Sequence, residues 1–101
     1  MDKYWVTFRL LNNASYQERY DAMLKARVSV RAAQWGEPAS FWLVESKLDI
    51  DPLMKVLTAP LTEQTDLLVV RYLGKNGSRY FGQFNHLDTL KHFLPDIIKS
   101  P

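Results

Sequence analysis

Two histidines, thirteen basic and eleven acidic side chains, and no cysteine supply most of the groups from which this chain could build a reactive site. His86 and His92 stand six residues apart, a spacing that does not place both on one helical face as a metal pair requires. The sequence shows no orienting partner that would make either a general base, so both read as surface or structural residues. Asp49 and Asp51 resemble a carboxylate pair, but they fall at a predicted helix start, where capping and the helix dipole favour acids. Gly74, Gly77 and Gly82, with Lys75, lack the strand-to-helix setting and the Gly-Lys-Ser/Thr ending of a phosphate loop, and read as turn residues. The absence of cysteine removes disulfides, thiolate catalysis and cysteine-ligated metals, and fits a reducing compartment. No catalytic residue, metal ligand set or cofactor is therefore assigned.

Aromatic and basic residues carry a different chemistry. Trp5 on a first strand and Phe41 or Trp42 on a third, with Arg9, Arg71 and Arg79, form a candidate platform for stacking nucleic-acid bases and contacting phosphates. The stretch Ser40 to Ser46 lacks the Lys/Arg-Gly-aromatic start and the Gly/Ala-Phe-Val continuation of the RNA-recognition signature. Arg19, Lys25, Arg27 and Arg31 cluster in sequence and read as a solvated helix face, with phosphate contact as the alternative. The net charge of +2 and pI of about 9.0 fall short of a dedicated nucleic-acid binder.

The elements that must position these residues follow from periodicity. Tyr4 to Leu11 alternate as a half-buried strand with Trp5, Thr7 and Arg9 on one side. Ser15 and Glu18 have capping-box spacing, and Tyr16, Tyr20, Met23, Leu24 and Val28 recur as the apolar face of a helix. That helix is expected to fade near Arg27 to Arg31 into a short strand ending about Gln34 or Trp35. Gly36-Glu37-Pro38 is a turn, and Ser40 to Glu45 a strand completing a hairpin. A short helix starts after Asp49 or Asp51 and ends at Pro60, and Leu67 to Leu73 read as an interior strand. Arg79 to Phe84 form a fifth strand, followed by a helix opened by Asn85 with Leu87, Leu90, Phe93 and Leu94 buried. After Pro95 the chain is expected to kink, fray or turn.

This order predicts one α+β domain over residues 1–101. Its core over 4–73 is a ferredoxin-like βαββαβ antiparallel sheet, with both helices on one face and the other uncovered, and 78–101 add a strand and a C-terminal helix. No apolar run approaches the roughly 20 residues of a membrane span, and the opening Met-Asp-Lys-Tyr-Trp-Val runs directly into a strand pattern, so a cytoplasmic protein with no membrane contact is expected.

Trp35 before a hairpin, Ser40-Phe41-Trp42-Leu43-Val44, the short capped helix and Thr65-Asp66-Leu67-Leu68-Val69-Val70 give the chain a family resemblance over residues 4–73. It resembles the small bacterial proteins related to the second CRISPR-associated core protein and to virulence-associated protein D. The resemblance implies a homodimer formed through the sheet, with a C-terminal strand, here Arg79, Tyr80, Phe81, Gln83 and Phe84, completing the edge of the other copy. Nuclease members carry a metal-binding aspartate near the end of the first strand, where this chain reads Arg9-Leu10-Leu11-Asn12-Asn13. A neutral amide is a poorer magnesium ligand than a carboxylate. The expectation is thus a non-enzymatic homodimeric interaction module. The alternatives are a nucleic-acid binder using Trp5, Arg9, Arg71 and Arg79, or a metal-dependent nuclease using relocated carboxylates such as Glu45 or Asp66. Nothing in the sequence specifies a small-molecule ligand.

Overall fold

Alternation in the first segment does produce a strand, β1 (Asp2–Arg9), which buries Tyr4, Val6 and Phe8 and turns Lys3, Trp5, Thr7 and Arg9 the other way. The computed structural model describes all residues 1–101. After β1 come α1 (Tyr16–Val30), β2 (Arg31–Trp35), β3 (Phe41–Ser46), α2 (Ile50–Thr58), β4 (Leu67–Tyr72), β5 (Ser78–Phe81), α3 (Leu87–Phe93) and β6 (Ile97–Lys99). The strands form one sheet in the order β2-β3-β1-β4-β5-β6. The first five are antiparallel to their neighbours, and β6 runs parallel to β5. The order of the first four strands is consistent with a ferredoxin-like fold, and the mixed six-stranded sheet with a third helix departs from it.

One core lies between the sheet and the first two helices. Trp42, Tyr4, Val6, Leu68 and Val70 from the strands meet Met23 of α1 and Leu53, Met54 and Leu57 of α2, all buried. Helix α2 shows the apolar spacing of a packed helix, with Ile50, Leu53, Met54 and Leu57 inside. Asp49 occupies its N-cap position, but its side chain makes no capping bond, and Pro52 sits in the first turn, where no amide donor is needed.

Several local expectations are corrected. Ser15 makes no capping bond to α1; its hydroxyl donates to Asn13 and accepts from Arg19 Nε, so the capping box does not form. Helix α1 runs through its β-branched residues to Val30 before the expected strand begins at Arg31 and ends at Trp35, and the Val30 carbonyl accepts a 2.7 Å bond from the buried Ser46 hydroxyl on β3. A tertiary hydroxyl donor thus supports the helix end against local propensity, and Val28, expected inside, is 52% exposed. Strand β5 ends at Phe81, short of Gln83 and Phe84. Helix α3 opens at Leu87 rather than after Asn85, buries no residue fully, and leaves Phe93 73% exposed. Beyond Pro95 the chain forms β6, a strand the sequence reading missed.

The third helix also changes the sheet's far face. A right-handed β5-α3-β6 connection moves across the sheet in the sense that places α3 opposite α1 and α2. Burial agrees, because Val69, Ser78 and Ile97 point to that far face by register and are only 5%, 0% and 3% exposed. The face expected to be wholly uncovered is therefore open over β2, β3 and β1 and at the Arg71 and Leu73 end of β4, and is covered from Val69 onward across β5 and β6.

Candidate functional site

Strand register arranges this open area into rows. Ala33, Glu45 and Lys3 lie side by side on β2, β3 and β1, with Leu73 beyond them, where its amide bonds Lys3 at 2.8 Å. The next row is Trp35, Leu43, Trp5 and Arg71, and the third is Phe41, Thr7 and Val69. Trp35 and Leu73 remain 43% and 42% exposed, so the surface is apolar and accessible at both sides of the first two rows. Between them lies a shallow cavity of about 390 Å³ lined by Lys3, Ala33, Trp35, Leu43, Glu45 and Leu73, among others. Trp5 stacks beside Phe41 with ring centroids 6.2 Å apart and planes inclined by 25°.

Of the four residues expected to bind nucleic acid, the structure leaves two on this surface with free polar or aromatic reach. Trp5 is half-buried in the middle row and Arg9 is exposed at the end of β1. Arg71 shares the face, but its guanidinium donates to Ser78 at 2.7 Å and to Asp96 at 3.0 Å. Arg79 pairs in register with Val70 and so points to the helix side, where its Nε donates to Asp51 at 2.7 Å. A single platform of all four does not form. Asp51, read as a capping acid, instead anchors β5 to α2.

The basic cluster is solvated only at Lys25 and Arg31, and its other two members are engaged within the fold. Arg27 stacks on Trp42 with 4.5 Å from its guanidinium carbon to the ring centroid, and burial lowers its pKa from the ordinary arginine value. Arg19 is buried and donates to Asp66, to the Leu11 carbonyl at 2.7 Å, and to Asn13 and Ser15. Asp66 also accepts from the amides of Leu11 at 3.1 Å and Thr62 at 2.9 Å. Burial alone would raise the Asp66 pKa, but these amides and the guanidinium outweigh it and hold the carboxyl below its usual range. Both oxygens are engaged in joining the β1-α1 and α2-β4 loops, so Asp66 has no lone pair aimed at an open site. Asp96 is held low in the same sense: slight burial raises it, and Ser78, Arg71 and the Gly77 amide outweigh that. Nowhere do three His, Asp or Glu side chains gather closely enough to share a metal ion. Glu45 lies alone on the open face as an acid beside Lys3.

The strand expected to cross to another copy, Arg79, Tyr80 and Phe81, lies in β5, and both of its hydrogen-bonding edges are taken within the chain by β4 and β6. Gln83 follows the strand, and Phe84 packs edge-on against Tyr80, with ring centroids 5.5 Å apart. The sheet's two outer strands are β2, all five of whose residues are exposed, and the three-residue β6. From sequence, Trp35 and Leu43 entered only through the family resemblance and Glu45 only as a relocated carboxylate, and Lys3 and Leu73 carried no role. Alternation within each strand places Leu43 and Glu45 opposite Trp42 and Val44, but only cross-strand register brings them beside Lys3 and Trp35.

No helix is long and apolar enough to cross a membrane. No family model, curated protein or solved structure matches the chain.

Proposed function

We propose that this chain is an interaction module rather than an enzyme, and that its partner is a second copy seated on the open β2-β3-β1 area. The observation that carries this reading is the row Trp35, Leu43 and Trp5, left uncovered although helices pack on the opposite face and beside it. Magnitudes favour a whole-face contact over a single anchor. A tryptophan of about 250 Å² that is 43% exposed offers roughly 110 Å², or about 2.7 kcal/mol on burial. Two copies of Trp35 give about 5 kcal/mol, near the lower end of the 4–15 kcal/mol cost of association. The remaining row must therefore contribute. Acids that could serve catalysis, Asp51, Asp66 and Asp96, hold basic groups or amides in structural roles, which also favours an interaction reading.

Sedimentation velocity across the micromolar range tests it. The chain is expected to sediment at twice its 11.8 kDa mass, and Trp35→Lys, an edge-strand change at an exposed position, to sediment as a folded monomer. A wild-type chain that stays monomeric throughout overturns the reading.

A second reading rests on the near-parallel Trp5 and Phe41 rings with Arg9 one row farther along. Single-stranded RNA bases could stack on that pair while Arg9 meets a phosphate. Anisotropy of a labelled oligouridine at low salt would show binding weakened by Trp5→Ala and Arg9→Ala. No binding removes this reading.

A further inference from the structure

Lys3 and Glu45 are directly opposed residues on neighbouring strands of the open face, and neither belongs to any of the ion pairs of the fold. The next pairs along the same two strands are Trp5 with Leu43 and Thr7 with Phe41. A two-fold axis lying in the contact plane, parallel to the strands and midway between β1 and β3, exchanges the members of every one of these pairs. It sets Lys3 against Glu45 of the second copy, and Trp5 against Leu43 of the second copy. The patch is thus self-complementary in charge, which an isologous contact requires. A polyanion would meet one acid for each base in that row.

Resting on the self-association reading, we infer that the chain forms a face-to-face dimer about this axis, with Lys3 and Glu45 as reciprocal intermolecular ion pairs. Among the lines midway between neighbouring strands, the covering of the sheet selects this one independently of charge. About the β1/β3 line, β2 of one copy lies over β4 of the other and stops short of the strands that α3 covers. One strand pair farther toward β4, the second copy's β2 would fall over β6 and meet α3. One strand pair farther toward β2, Trp5 would have no strand above it. The chosen line uses four strands of each copy and sets Trp35 over Arg71, whose side chain keeps 24% of its surface exposed. Two aligned sheets at the usual separation of about 10 Å leave room for long side chains to meet between them.

Lys3→Glu and Glu45→Lys, made separately, test the axis, with circular dichroism confirming that each folds. Each variant alone places like charges in both reciprocal contacts, and its dimer dissociation constant is expected to rise at least tenfold in low-salt buffer. An equimolar mixture, with one variant fluorescently labelled, is expected to recover wild-type affinity as a heterodimer, because both contacts then pair an acid with a base. The double variant Lys3→Glu/Glu45→Lys is expected to dimerise like the wild type. If the wild type is dimeric and the single variants dimerise equally well with no preference for one another, this axis is wrong while self-association stands. If the wild type is monomeric, both fail.

Discussion

Replacing Asp66 by asparagine removes the charge that offsets Arg19 and also turns one acceptor into a donor. With the amide oxygen in place of Oδ1, the new NH₂ group faces the Thr62 amide, which now donates to Oδ2 at 2.9 Å. With the amide reversed, it faces the Leu11 amide and Arg19 instead. Breaking a buried pair by removing one partner costs about 3–5 kcal/mol. Arg19 keeps three neutral acceptors, at Leu11, Asn13 and Ser15, so the lower end, about 3 kcal/mol, is expected. With a urea m-value of about 1.3 kcal/mol/M, the denaturation midpoint falls by about 2 M without a change in slope. Asp66→Asn combined with Arg19→Met is expected to lose less than the sum of the single changes, since no stranded charge remains. The folded pKa of Asp66 lies below its unfolded value, so its contribution is complete above about pH 4 and disappears as pH falls through the folded value. The wild-type midpoint should therefore drop on strong acidification, and that of Asp66→Asn should drop less. A loss under about 1 kcal/mol, or strict additivity with Arg19→Met, would refute the network.

Other perturbations act through single contacts. Gly82→Ala drives a Cβ into the Asp66 carbonyl oxygen at φ +105°, and a stability loss of about 3 kcal/mol is expected by urea titration. Gly74→Ala, at φ +86° with open space around it, should lose only about 1 kcal/mol, so equal losses would contradict the steric argument. Tyr72→Phe leaves the Ile50 amide at the start of α2 without its 2.9 Å acceptor and should lower stability by about 1 kcal/mol, with faster hydrogen exchange at that amide.

The elements with strong periodicity or turn chemistry were legible: β1 from alternation, β3 and β4 from compact apolar runs, α2 from its stripe and its flanking aspartate and proline. What escaped depended on partners distant in sequence. Val30 at the helix end has its carbonyl bonded by the hydroxyl that Ser46, sixteen residues away, donates. Strand β6 has only three residues and exists by pairing with β5 and by the Asp96 contacts to Arg71, Ser78 and Gly77, which no local propensity announces. The same holds for the open face. Trp5 and Arg9 were visible as a half-strand pattern, but the position of α3 decides which part of the face is free, and register decides that Lys3 meets Glu45. Arg71 and Arg79 looked alike in sequence and are separated by the pleat onto opposite faces.

An isotope-filtered NOE experiment on a mixture of ¹³C-labelled and unlabelled chains reads contacts between copies alone, and so tests the proposed self-association face most directly. Cross-peaks from the Leu43 methyl groups of one copy to the Trp5 indole of the other are predicted. Intermolecular cross-peaks confined to other surfaces, or none at concentrations up to about 1 mM, would contradict the account.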